Sequence, residues 1–323
     1  MKRFERILFL RTDRMGDVLM NLPTLRLLRQ TYPKSWITVA IDRSLDGLLS
    51  GHPDVDEVML LDASGLRKKS AARRELCRKL RRADFDLAIV SNPERWAHAL
   101  VFWAGIPTRV GWRRKWSWLL TRTLKDEKSG RHEIESNLAL VGLVTEKIWD
   151  GGFGLTAEAE SQQFLEDLLA QDETGKGFIA IHAGTSHPAK RWAPERFAEV
   201  SDHFQRKGFK TVLIGGKEEA ASSEAVLQKC AMPPRDFTGR FSLGQLRAFL
   251  GHSKVKLLVS SDSGPVHVAW MQKTPVVALY SKGIDGSNPA RWGPRIQKSR
   301  VIHDFMGSIT ATKVCALAEE LLA

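Results

Sequence analysis

The sequence predicts an α/β protein built from two Rossmann-like, doubly wound parallel-sheet domains facing a central cleft. Three observations predict it. Short apolar runs that read as buried on both faces alternate with amphipathic stretches, the pattern of parallel strands joined by right-handed crossovers. The series restarts at Phe178, after a glycine-rich junction at Gly151-Gly152-Phe153-Gly154. The length of 323 residues, 43% hydrophobic and 27% charged, suits about two domains with cores of their own and excludes a disordered chain. The expected domains are 1–155 and 156–323.

Ile7–Arg11 reads as the first strand, followed by a polar loop and a helix from about Asp17 to Gln30. Trp36–Ile41, Glu57–Leu61 and Asp86–Ser91 read as further strands, the last preceded by a basic helix. In the second series the strands are Phe178–His182, Lys210–Gly215, Lys256–Ser260 and Pro275–Leu279. Helices fall near 158–170, 194–206, 217–229, 242–250 and 265–271, and Thr310–Leu322 reads as a closing amphipathic helix. No apolar run approaches the roughly 18 residues that span a bilayer. Ile7–Leu10 is too short for a signal-peptide core, so the chain reads as cytoplasmic. Cys77, Cys230 and Cys315 are far apart, giving neither a disulfide framework nor a metal spacing, and no metal cage is read.

Ligands of doubly wound sheets bind beyond the carboxyl ends of the strands, so three loops are candidates. The first is Arg11–Asp17. It lacks the three glycines of a dinucleotide fingerprint, which counts against nicotinamide. Asp17 reads either as a helix N-cap or as a carboxylate base at the cleft floor, with Asp13 as the rival carboxylate. The second loop is His182–Trp192. Thr185, Ser186, Lys190 and Arg191 suit a phosphate or diphosphate, the alternative being a solvated surface loop. Its two histidines lack a zinc spacing. The third is Ser261–His267, where Pro265 fits a first helical turn whose N–H groups attract phosphate. The alternative is a well-capped helix with His267 as a structural hydrogen-bonder. Gly215–Glu219 reads as a nucleotide contact or a tight turn. Asp84-Phe85-Asp86 precedes a strand and reads as a helix-to-strand turn rather than a metal motif.

The net charge of +12 is uneven: residues 1–155 hold 28 Lys/Arg against 19 Asp/Glu, and residues 156–323 hold 21 against 18. An anionic partner is implied for the first half. Arg67–Arg82 carries nine cations and one acid, with Ala72, Leu76 and Leu80 as its docking stripe. Gly111–Leu120 interleaves Trp112, Trp116 and Trp118 with Arg113, Arg114 and Lys115. This suits an anionic lipid interface, or RNA through stacking, unless the tryptophans are core and the charges solvated.

Taken together in order, ILFLRTDRMGDVLMNLPTLRLLRQTYP, HPDVDEVMLLD, HAGTSHPAKRWAPERFAEV, VLIGGKEE, TGRFSLGQL, SSDSGPVHVA and TPVVALY resemble glycosyltransferase family 9, the ADP-heptose:lipopolysaccharide heptosyltransferases. The resemblance runs from about residue 5 to 280. It implies the GT-B fold, an N-terminal acceptor domain and a C-terminal nucleotide-sugar domain. It further implies inverting transfer of heptose from ADP-L-glycero-D-manno-heptose to an inner-core sugar hydroxyl, with Asp17, the Asp of Met-Gly-Asp, as general base. The positions it implies for the donor are Thr185, Ser186 and Lys190, the backbone around Ser263, Gly264 and Val266, Asp262 near the sugar hydroxyls and His267 by the diphosphate. Phe241 would lie beside the adenine, and Glu218 or Glu219 by the ribose. Arg14, Arg67, Lys68, Lys69, Arg113, Arg114, Lys115 and Trp116 would face the anionic lipopolysaccharide core or the cytoplasmic face of the inner membrane.

Two departures touch the donor side: Ser281-Lys282-Gly283 stands where many members have Gly-Pro-Thr, and His182 where many have Pro. No resident cofactor is expected, and Mg²⁺ is needed only if it bridges the donor diphosphate through substrate oxygens. A monomer is expected. The alternatives are another nucleotide sugar or glycan acceptor, or a sugar-nucleotide epimerase. A nucleic-acid-binding protein is the remote one, since it leaves the Asp17, Lys190 and Asp262 loops without a purpose.

Overall fold

Residues 3–92, 94–125, 130–155, 158–170, 175–185, 187–284 and 286–323 are described by a computed structural model. They divide into two units, Met1–Phe153 and Gly154–Ala323.

The first unit runs β1 (Arg6–Leu10), α1 (Met15–Leu19), α2 (Leu22–Thr31), β2 (Trp36–Asp42), β3 (Glu57–Leu61), α3 (Ala63–Lys68), α4 (Ser70–Arg82), β4 (Leu87–Val90), α5 (Arg95–Trp103), β5 (Thr108–Trp112), β6 (Arg122–Leu124) and α6 (Glu133–Val141). Its sheet is parallel, in the order β3-β2-β1-β4-β5-β6, with Ile7 opposite both Ile37 and Leu87. Central strands are apolar on both faces because helices cover both. On one face Leu8, Leu10, Ala88 and Val90 meet Leu76 and Leu80 of α4 and Trp96 and Leu100 of α5. Each such buried Leu contributes about 2 kcal/mol relative to exposure.

The second unit runs α7 (Ala159–Ala170), β7 (Phe178–His182), α8 (Pro194–Arg206), β8 (Lys210–Leu213), α9 (Ala220–Leu227), β9 (Arg235–Asp236), α10 (Leu243–Gly251), β10 (Val255–Ser261), α11 (Gly264–Met271), β11 (Val276–Ser281), α12 (Pro289–Trp292), β12 (Ser299–Asp304) and α13 (Ala311–Leu322). Its parallel sheet has the order β12-β11-β10-β7-β8-β9. Counted from its own first strand, this is the winding of the first unit repeated. α13 packs on α8 and on β10–β12, burying Val314, Cys315 and Ala318.

The eight strands read from the sequence are present. Four more, β5, β6, β9 and β12, escaped it. β6 and β9 are edge strands of three and two residues, and β5 and β12 carry Arg, Gly and His among their apolar positions. The helix expected over 17–30 is two, α1 and α2. Pro23 in the first turn of α2 lacks the N–H that would continue α1, so the helix restarts at Leu22. The stretch expected as one helix over 217–229 is a 3₁₀ turn at Lys217–Glu219 followed by α9.

Candidate active site

In both sheets the strand order reverses between the first and fourth strands of the unit. The crevice outside the strand ends at such a switch point is the usual ligand position. The loops there are 11–14 after β1 and, after β4, the described residues Ser91, Asn92 and Glu94 in the first unit, and those after β7 and β10 in the second.

In the first unit the loop is built on Arg11, a residue that sequence reasoning passed over. Its guanidinium is buried and forks three ways. Nε donates to Asp13 Oδ1 at 2.7 Å, Nη2 to Asp17 Oδ1 at 2.7 Å, and Nη1 to the Ser91 carbonyl at 2.8 Å. Buried Glu133 of α6 lies 3.6 Å from Nη2. Burial alone would lower the Arg11 pKa, but Asp13, Asp17 and Glu133 outweigh it and raise it. Thr12 and Asn92 lock the two loops by exchanging hydrogen bonds, Thr12 N–H to Asn92 Oδ1 and Asn92 Nδ2 to Thr12 Oγ1.

Asp17 is not the N-cap. That position belongs to Arg14, which is exposed, and Asp17 is the third residue of α1, where a carboxylate is favoured by the helix dipole. Asp13, the rival, has a carboxyl raised to about 6, mainly by burial and further by Asp17, with Arg11 opposing. One buried cation thus orients two carboxylates at the end of β1. The signal for Arg11 was an arginine directly after the apolar run Ile7–Leu10, where a buried cation must find acids.

In the second unit, Lys190 Nζ lies 2.6 Å from Asp262 Oδ2, joining the loops after β7 and β10. Ser263 is the N-cap of α11, Gly264 its first residue, and Pro265 and Val266 follow. Ser263 Oγ is 3.2 Å from His182 Nδ1 and 2.9 Å from Ser260 Oγ, while His182 Nε2 faces Glu219 Oε2 at 3.0 Å. Glu219 also accepts the Gly216 N–H at 2.8 Å. Burial would raise the Glu219 carboxyl, but His182 and that N–H outweigh it and hold it below the usual range. Gly184 leaves room for the Glu219 side chain: a Cβ on it would stand 2.0 Å from Glu219 Oε1, so the carboxylate would have to move.

Glu219 is thus engaged by its own loops, while Glu218 is exposed. Thr185 Oγ1 accepts from the His187 N–H, and Ser186 lies outside the described residues. His267 is buried and its Nδ1 accepts from Trp270 Nε1 at 3.3 Å. Phe241 belongs to an aromatic cluster with Phe237, Phe249 and Phe164.

Of the residues expected to face the acceptor, Arg67 is paired with Glu94 at 2.7 Å, and with Trp116 it lines a groove over α4 and α5. Lys68, Lys69, Arg113, Arg114 and Lys115 are not in that lining. Trp116 has φ +69°, a left-handed conformation uncommon outside glycine, and the Arg95 guanidinium sits 5.6 Å from its ring centre. Trp112 is core: it is buried and donates to the Ser91 carbonyl. Asp84, at φ +52°, and Asp86, which accepts the Glu5 and Arg6 N–H groups, form the expected helix-to-strand turn.

A family model described as "Glycosyltransferase family 9 (heptosyltransferase)" matches residues 73–318. The chain belongs to glycosyltransferase family 9. It is therefore a glycosyltransferase, and the family's description is that of heptose transfer. Among relatives, lipopolysaccharide heptosyltransferase 2 of Escherichia coli K12 is 28% identical over 94% of this chain and 89% of its own length. The crystal structure of a family 9 glycosyl transferase from Veillonella parvula superimposes with a TM-score of 0.91 at 26% identity, covering 100% of this chain and 98% of that one. That of the E. coli ADP-heptose lps heptosyltransferase II gives 0.83 at 24% identity, covering 98% of each chain. The architecture is the GT-B fold of these structures.

Proposed function

We propose that the protein transfers heptose from ADP-L-glycero-D-manno-heptose to a sugar hydroxyl of the lipopolysaccharide inner core, with inversion, using Asp17 as general base. The observation that carries this reading is the Arg11 fork, which fixes a Met-Gly-Asp carboxylate at the strand-end switch point of a family 9 chain. In the proposed step Asp17 takes the proton of the acceptor hydroxyl as that oxygen attacks the anomeric carbon. The bond from that carbon to the phosphate oxygen breaks, and ADP leaves with the electron pair. One base suffices for a single displacement.

The second unit would hold the donor. Lys190 and the N-terminal turn of α11 would meet the diphosphate, where charge develops on departure. Asp262 would receive sugar hydroxyls once Lys190 turns to phosphate. Phe241 offers an apolar wall for the adenine. Glu218 is the exposed carboxylate for the ribose, since Glu219 is held by His182 and Gly216. Thr185, Ser186 and His267 complete the assignment. Mg²⁺ would act only through substrate oxygens. The first unit would receive the anionic acceptor through Arg14, Arg67, Lys68, Lys69, Arg113, Arg114, Lys115 and Trp116. The enzyme would work as a monomer at the cytoplasmic face of the inner membrane, where its anionic acceptor lies; among the described residues no helix is long and apolar enough to cross a membrane.

The test is ADP release from ADP-heptose with Kdo-lipid A, with its singly heptosylated form, and with neither. Release that requires one acceptor supports the reading. Turnover of the sugar nucleotide without acceptor would move the assignment to epimerase chemistry, and inertness toward both lipids would reject the lipopolysaccharide acceptor.

A further inference from the structure

Next to the loop after β4, which contributes Glu94 to its lining, the first unit carries a large groove of about 1100 Å³ between α4 and α5. Its floor includes buried Trp96, with Ala99 and Cys77 beside it, and its walls are arginines: Arg73, Arg74 and Arg78 from α4 and Arg95 from α5. Glu94, the acid of the lining, is already paired with Arg67. Among the described residues neither Arg74 nor Arg78 has an ion-pair partner, and both are exposed. An apolar floor with uncompensated cations above it fits a ligand that is both anionic and oily.

Beside the groove lies a patch that a water-facing surface does not explain. Trp103 is 56% exposed, Trp118 77% and Phe102 40%. The Phe102 and Trp118 rings meet edge to face at 6.4 Å, and Arg109 sits 5.4 Å over Phe102. Large aromatics clustered next to arginines are the composition of a bilayer interface, where rings settle at headgroup depth and guanidinium groups meet phosphate. α4 supplies the cations because its apolar stripe, Leu76 and Leu80, is spent on the core and leaves the rest of its surface to Arg and Lys.

We propose that the α4–α5 face docks on an anionic phospholipid bilayer. Trp103 and Trp118 enter the interface, and the groove takes the phosphate and upper chain of one lipid against Arg74 and Arg78. The inference rests on the proposed lipid-borne acceptor for its purpose, and it gives that reading a defined contact surface.

Vesicle co-sedimentation tests it, with phosphatidylcholine vesicles alone and with phosphatidylglycerol added, at low and high salt. The wild type is expected to bind the anionic vesicles only, more weakly as salt rises. The pair Arg74→Glu and Arg78→Glu should lose about thirtyfold or more in affinity, since each basic side chain near an anionic surface counts for several-fold. Trp103→Ser and Trp118→Ser should each lose roughly tenfold. The matched reversal of Lys256 and Lys298 to Glu, on the second unit, should change nothing. Equal binding to neutral vesicles, or face variants that bind like the wild type, would overturn the proposal. So would failure to bind any vesicle together with salt-sensitive binding of duplex RNA that the same variants abolish. Transfer to a delipidated core oligosaccharide is the separate readout. If wild type and face variants transfer equally but neither binds vesicles, the docking face fails and the function stands. Vesicle binding without any heptose transfer has the opposite meaning.

Discussion

Arg11 Nη2 donates to Asp17 Oδ1 at 2.7 Å, and the same guanidinium donates from Nε to Asp13, so one buried fork fixes two carboxylates. If Asp17 is the base, its geometry is set by Arg11. Asp17→Asn should lower kcat for acceptor-dependent ADP release by about 10²- to 10⁴-fold while ADP binding is kept. Arg11→Lys retains the charge but cannot reach Asp13, Asp17 and Ser91 together. It should cost about 3 kcal/mol or more in unfolding free energy and lower kcat more than it raises KM. A near-normal rate for Asp17→Asn would remove the base assignment.

The raised Asp13 carboxyl has a consequence for stability. A carboxyl at about 6 in the folded chain, against 3.8 as its ordinary value, means that folding favours the protonated form. The contribution is fully present below pH 4 and is lost as pH rises through about 6, amounting to up to about 3 kcal/mol. Denaturant unfolding of the wild type and Asp13→Asn across this range should show the difference shifting in favour of the variant as pH rises. A pH-independent difference would mean that Asp13 is not perturbed.

The Lys190–Asp262 pair is largely buried, with side-chain exposures of 12% and 8%. Lys190→Met strands Asp262 and should destabilise the protein by about 3 kcal/mol. It should also weaken ADP by about tenfold or more if the ammonium meets the diphosphate. Asp262→Asn releases Lys190, so ADP should raise Tm by more in this variant than in the wild type. Thermal shift and calorimetric titration read both effects.

Gly184→Ala places a methyl group where Glu219 now lies. The carboxylate must leave His182 and Gly216, at an expected cost of about 1–3 kcal/mol. Glu219→Gln, which keeps the size, should lose less, and the double variant should be less destabilised than the sum of the two. Additive losses would show that the two positions are independent.

The strands at the centre of each sheet were legible because burial on both faces leaves an unbroken apolar run, as in Ile7–Leu10 and Phe178–Ile181. The edges were not: Arg235-Asp236 is strand only because β8 lies beside it. The candidate loops could be located because they follow strands. Their wiring could not, because Arg11 meets Ser91 and Glu133 across eighty and more than a hundred residues, and His182 meets Glu219 across thirty-seven. The Trp-rich segment shows the same limit. Sequence spacing gave no way to tell Trp112, which the fold buries, from Trp118, which it leaves exposed.

Each of the two sheets draws all six of its strands from one stretch of the chain. Backbone pairing is therefore never shared across residue 153, and a new side chain in one half leaves the other half's hydrogen-bonded ladder intact. With the acceptor on the first unit and the donor on the second, as proposed, a lineage could revise what it glycosylates and what it takes the sugar from as two nearly separate problems, and an engineer could swap residues 1–153 between relatives without recutting a single sheet.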